Sequence, residues 1–146
     1  MSRTNAAETD YLLLMFNNVD WEFVGDTAGL QASAGAGDLF ISLHTADPGE
    51  TGDQETNEAT FGSYGRVSVA RTGSEWVVSG NNASNVNAIP FTEASSGSET
   101  ITHVGIGTDS SGAGNLIWFG ILDTARLVNT GITIQFAANE LDINAD

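Results

Sequence analysis

Leu39 to Thr72 reads LFISLHTADPGETGDQETNEATFGSYGRVSVART. Its first residues alternate: Leu39, Ile41 and Leu43 fall on one face, Phe40, Ser42 and His44 on the other. A period of two is the mark of a half-buried strand. The run stops at Asp47-Pro48-Gly49-Glu50, where proline pre-sets the second position of a turn. A polar, acidic loop follows to about Ala59, then a second alternating run with Val67 and Val69 in step. Moving outward, the same reading gives strands over 39–45, 65–72, 75–80, 85–91, 100–107, 115–122, 131–138 and 140–143, separated by glycine- and asparagine-rich turns. Gly73 and Gly80 flank EWVVS, which predicts two hairpins in succession. No helical pattern separates the strands, so a parallel βαβ arrangement is excluded. The expected fold is mainly β: an antiparallel β-sandwich or jelly-roll-like barrel.

Upstream, residues 4–18 predict a helix. Thr4 or Asn5 supplies the cap, and Glu8 and Asp10 complement its positive end. Tyr11, Leu14 and Met15 share one face, and Leu12 and Phe16 share a neighbouring one. So broad an apolar stripe needs cover from the chain's own sheet, a second subunit or another protein. Trp21, Phe23 and Val24 read as a short strand or extended arm, and LQASAGAGD as a linker. Trp21 either folds back on the domain edge or anchors in a partner's groove. The expected organisation is an N-terminal helix and arm over 1–38 and a β-sandwich over 39–146. In NLIWFGIL, Leu116, Trp118 and Leu122 face one way and Ile117, Phe119 and Ile121 the other. One side is then expected to be the sandwich core, and the other to be covered by the chain's own helix or by another subunit.

The 146 residues suffice for one substantial core. Nineteen acids stand against four arginines (Arg3, Arg66, Arg71, Arg126), with no lysine, for a net charge of -15. That charge repels polyphosphate and anionic membrane surfaces, so neither nucleic acid nor membrane is expected as a partner. It favours solubility and suits a saline environment. The absence of cysteine removes disulfides and thiolate metal sites. Leu12 to Phe16 is too short an apolar run for a signal peptide or a membrane span, and acids precede it.

No constellation of catalytic groups stands out. His44 and His103 each lie inside an expected strand and could sit across adjacent strands. Neither has a recognisable nucleophile spacing, and no G-x-S-x-G elbow occurs. GIGTDSSGAG follows a strand but fits neither phosphate-binding spacing, and is expected to be a hairpin loop. Asp47, Glu50, Asp53, Glu55 and Glu58 are oxygen donors of the kind Ca²⁺ takes, but their spacing is not that of an EF-hand, and a solvated acidic loop is expected. A glycosidase pair would need two acids in an aromatic-lined cleft, while Trp21, Trp76 and Trp118 read as core and interface residues. The expectation is therefore no catalytic residue, no metal and no cofactor.

LHTADPGETG, TNEATF and YGRVSVAR in the first half, with THVGIGT and SGAGNLIWFGIL in the second, resemble a family of small tailed-phage virion proteins of tail-fibre or head-decoration type. The resemblance implies a structural role in the virion. Combined with size, β pattern, helix and arm, it leads to an expected capsid decoration or cement protein. Such a protein would be made in the host cytoplasm, sit on the outer capsid surface as a homotrimer, and have the major capsid protein as partner. Tyr11, Leu12, Met15, Phe16 and Trp21 are the expected contact residues. A tail or adsorption component is the alternative within the family, and a carbohydrate-binding β-sandwich module is the alternative outside it.

Overall fold

The computed structural model describes residues 2–22 and 24–145; Phe23, read above as part of the arm, lies outside them. In chain order the elements are α1 (Asn5–Asn17), β1 (Asp38–His44), β2 (Val67–Ala70), β3 (Trp76–Ser79), β4 (Asn82–Asn85), β5 (Ile89–Pro90), β6 (Ser98–Gly107), β7 (Leu116–Asn129), β8 (Gln135–Phe136) and β9 (Asp142–Asn144). They form sheets of order β2-β1-β6-β7, β3-β4-β9 and β5-β8. The registered pairs β1–β6, β3–β4, β4–β9 and β6–β7 all run antiparallel. The protein is mainly β; among the described residues there is one short N-terminal helix, and no sheet closes into a barrel.

The chain divides into two compact units. Unit 1 comprises Met1–Asp38, Ala70–Ala88 and Phe136–Asp146, and unit 2 comprises Leu39–Val69 and Ile89–Gln135.

In unit 1 the Thr4 hydroxyl accepts from the Ala7 amide to start α1, and Asn18 ends it in the left-handed region at φ 53°. Leu12 and Phe16 are fully buried, and the Phe16 ring meets Trp76 on β3 at 4.8 Å between centroids. The helix is therefore covered by its own chain. Arg71 donates to the carbonyls of Leu14, Met15 and Ala36. It thereby satisfies acceptors that the last turn of a helix leaves open. The expected extended arm is instead turned on itself. Trp21 and Leu30 exchange two backbone hydrogen bonds, Asn18 and Ser33 exchange two more, and Asp20 accepts from Ala32.

Two features of unit 1 depart from the sequence reading. Only one of the two expected hairpins forms. β3 turns at Gly80 (φ 61°) into β4, whereas β2 and β3 belong to different sheets. β4 itself, NASN, falls where a turn and the start of a strand over 85–91 were expected. Asn85 is buried there because every side-chain group is used: it accepts from Leu141 and donates to Asn87 and Ala137.

In unit 2, Ile41 faces Ile106 and Leu43 faces Val104 across the β1–β6 ladder, and all four are buried. β7 continues to Asn129, beyond the expected end at residue 122, and it is the edge of its sheet. Its register with β6 shifts between Ile101↔Arg126 and His103↔Ile121. Leu122 to Ala125 are assigned no partner on β6.

Candidate functional site

The polar face of β1 carries the first cluster. His44 and His103 sit opposite each other in the β1–β6 register. Ser42 Oγ lies 2.8 Å from His44 Nε2, and His44 Nδ1 lies 2.9 Å from the Thr56 carbonyl. A carbonyl only accepts, so Nδ1 carries the proton and Nε2 accepts from the serine. Burial holds the His44 pKa below its usual value. This serine–histidine contact was not expected from the sequence. It lacks the features of a nucleophile, because both side chains are fully buried and Nδ1 meets a carbonyl where a carboxylate would stand in a triad. Gly105 makes room for it: a Cβ there would come within 2.5 Å of Ser42 Oγ and 2.6 Å of His44 Nε2.

The acidic loop forms the second cluster, and the carboxylates of Asp47, Asp53 and Glu58 are used within the fold. Asp47 accepts from the Gly49 amide. Asp53 accepts from the Glu55 and Thr56 amides and the Thr56 hydroxyl, which lowers its pKa. Glu58 receives Arg66 in a two-pronged pair, with Nε 2.6 Å from Oε1 and the second guanidinium nitrogen 2.8 Å from Oε2. The Tyr64 hydroxyl also donates to Glu58, at 2.8 Å, and accepts from the Leu43 amide. Burial, chiefly, pushes the Tyr64 pKa well above its usual value, and the Glu58 contact raises that of Arg66. Arg66 further donates to the Asp109 and Gly112 carbonyls, and buried Gln54 donates to the same Asp109 carbonyl and accepts from the Asp109 amide. A Cβ at Gly107 would strike Gln54 at 2.2 Å. Among the described residues, no three His, Asp or Glu side chains gather to hold a metal ion. In GIGTDSSGAG, Gly105 to Gly107 end β6 and the residues from Thr108 to Gly114 form the β6–β7 hairpin loop, closed by the Thr108 amide on the Asn115 carbonyl.

The five expected contact residues differ in exposure. Leu12 and Phe16 are wholly buried in unit 1, leaving nothing for a partner to touch. Tyr11, Met15 and Trp21 are half-buried, and Arg3 lies over the Tyr11 ring. The large apolar residues that are exposed lie elsewhere, most prominently Ile121 and Leu127 on β7. No described helix is long and apolar enough to cross a membrane.

These clusters brace the sheets and loops of a small antiparallel β protein, and the motifs that carry the virion-protein resemblance are the ones that build them. His44, Glu58, Tyr64 and Arg66 come from its first half, Gly105 and Gly107 from its second. Residues 15–144 match the family model described as Podophage GP4 fiber I protein gp80, and the chain belongs to that family of tailed-phage virion proteins. No curated protein matches the chain.

Proposed function

We propose that this protein is a structural, non-enzymatic component of a tail fibre or adsorption apparatus of a tailed phage. The observation that carries the reading is the family match over nearly the whole chain, whose description names a fibre protein. It ranks ahead of capsid decoration because that description does not mention the head. The decoration reading has also lost two of its contact residues to the core of unit 1, Leu12 and Phe16. Burial of Ser42 and His44 supports the absence of catalysis, and the net charge of -15 argues against nucleic acid and anionic membranes as partners. The partner is then another protein of the tail. A gold-labelled antibody on intact virions tests the address: label confined to the tail is expected, and label spread over heads would restore decoration. A screen against glycans and esters tests the chemistry, where turnover abolished by Ser42→Ala would refute the structural reading.

A further inference from the structure

Residues 18–33 form a structure that the core of unit 1 does not use. Trp21 and Leu30 exchange backbone hydrogen bonds of 3.0 and 2.9 Å, so they face each other as an antiparallel pair. The Asn18 side chain bonds both the amide and the carbonyl of Ser33, and Asp20 accepts from the Ala32 amide. These contacts keep the register of the Trp21–Leu30 pair, which sets Val19 opposite Ala32 and Asn18 opposite Ser33. The result is a short two-stranded ribbon. Its feet are fixed: Asn18 caps α1, and Arg71 donates to the Ala36 and Gly37 carbonyls. Yet among the described residues from 17 to 38 none is buried.

Facing residues, and residues two apart along a strand, share a side of such a ribbon. Val19, Trp21, Leu30 and Ala32 therefore fall on one side, and Asn18, Asp20, Gln31 and Ser33 on the other. The first side is apolar and the second polar. On the apolar side Val19 is 45% exposed, Leu30 is 42% exposed and Trp21 is half-buried. A two-stranded ribbon is marginal in water unless something packs on its apolar face. An ordered apolar face left in water marks an interaction site, and tryptophan is a frequent anchor in one.

Charge names the occupant. The ribbon and its connecting loop carry Asp20, Glu22 and Asp26, and no lysine or arginine occurs between Arg3 and Arg66. A second copy has little to set against these acids. Its net charge is -15, Arg66 is engaged by Glu58, Arg71 by carbonyls and Arg3 by the Tyr11 ring. We propose that the apolar face of this ribbon docks in an apolar groove, bordered by lysine or arginine, on a different protein of the virion. Val19, Trp21 and Leu30 enter the groove, and Glu22 and Asp26 in the connecting loop meet its rim. Opposite potentials of this kind select the partner and speed the encounter. The inference rests on the structural role proposed above and names the chemistry of the partner.

Phage carrying variants of the full-length protein test it, read as copies of the protein per purified virion by quantitative mass spectrometry. Val19→Asp and Leu30→Asp each place a charge in the groove, and each should lower occupancy on the order of tenfold. Glu22→Lys sets like charges against the rim and should also lower it. Ser33→Asp, on the polar side, should leave occupancy at the wild-type level. Circular dichroism of each purified variant checks the fold. A second measurement needs no disruptive change: p-benzoylphenylalanine in place of Leu30 is photo-cross-linked in intact virions. The expected product joins position 30 to a peptide of a different virion protein, with lysine or arginine beside apolar residues. If that protein belongs to the head, the docking face stands and the tail address falls. Wild-type occupancy in both Asp variants or in Glu22→Lys, an equal loss in Ser33→Asp, or a cross-link to a second copy or to nothing would overturn the proposal.

Discussion

Removing the Arg66 guanidinium should cost unit 2 more stability than any other single polar change in it. The Arg66 side chain is 2% exposed and that of Glu58 15%, so the pair is desolvated. Arg66→Met leaves Glu58 with one donor, the Tyr64 hydroxyl, removes the donor of the Gly112 carbonyl and leaves the Asp109 carbonyl to Gln54. Breaking a buried pair from one side costs roughly 3–5 kcal/mol, because the surviving charge is left unpaired in a poor solvent. At about 3 °C per kcal/mol for a domain of this size, the melting temperature should fall by about 10 °C. Glu58→Gln should cost less, because Gln keeps an acceptor for Arg66 and the two carbonyl contacts survive. The double variant should lose less than the two single losses added, since the second change removes the orphan created by the first. Calorimetry of the four proteins measures the coupling, and hydrogen exchange in the 108–115 loop locates it. Strict additivity, or a shift under about 2 °C in Arg66→Met, would refute the claim that this pair is desolvated and holds the hairpin loop.

Other outcomes follow from the same structure. Gly105→Ala places a methyl against Ser42 and His44 and should cost about 1–3 kcal/mol; adding Ser42→Ala should recover part of it in denaturant titrations. Because burial lowers the His44 pKa, the unfolded chain binds the proton more readily than the folded one. The stability His44 contributes is complete above about pH 6.5 and is lost as pH falls through that value, and His44→Asn should flatten that part of the profile. Phe16→Ala should lower stability by about 3–5 kcal/mol and expose amides of α1 to exchange, since the ring packs in the core against Trp76. A Phe16→Ala protein of wild-type stability would mean that the helix is not held there.

What the sequence revealed and what it hid divide along one physical line. Elements whose signal is local were legible: α1 was expected over 4–18 and runs over Asn5–Asn17, and β1 was expected over 39–45 and runs over Asp38–His44. Elements made by distant partners were not. NASN has no strand propensity and becomes β4 because β3 and β9 flank it. The second half of β7 was missed because Asp123-Thr124-Ala125-Arg126 interrupts the apolar pattern at the register shift. In the acidic loop, Glu58 looked like a solvated carboxylate. Its partner Arg66 is close in sequence, but the carbonyls that complete the site lie 43 and 46 residues beyond that arginine. The family motifs were visible throughout, and His44, Glu58, Tyr64 and Arg66 within them brace the fold.

The interleaving of the two units orders events during synthesis. Ribosomes deliver roughly 5–20 residues per second from the N-terminus, and units fold as their parts emerge. Everything unit 2 needs has been made once Gln135 is in hand. Unit 1 began first, yet its sheet has no third strand until β9 (Asp142–Asn144) follows. Until then β4 lacks the strand that pairs with it along Asn82 to Ser84. A chain halted just after Gln135 would hold every residue of unit 2 while the β3-β4-β9 sheet of unit 1 still lacked its third strand.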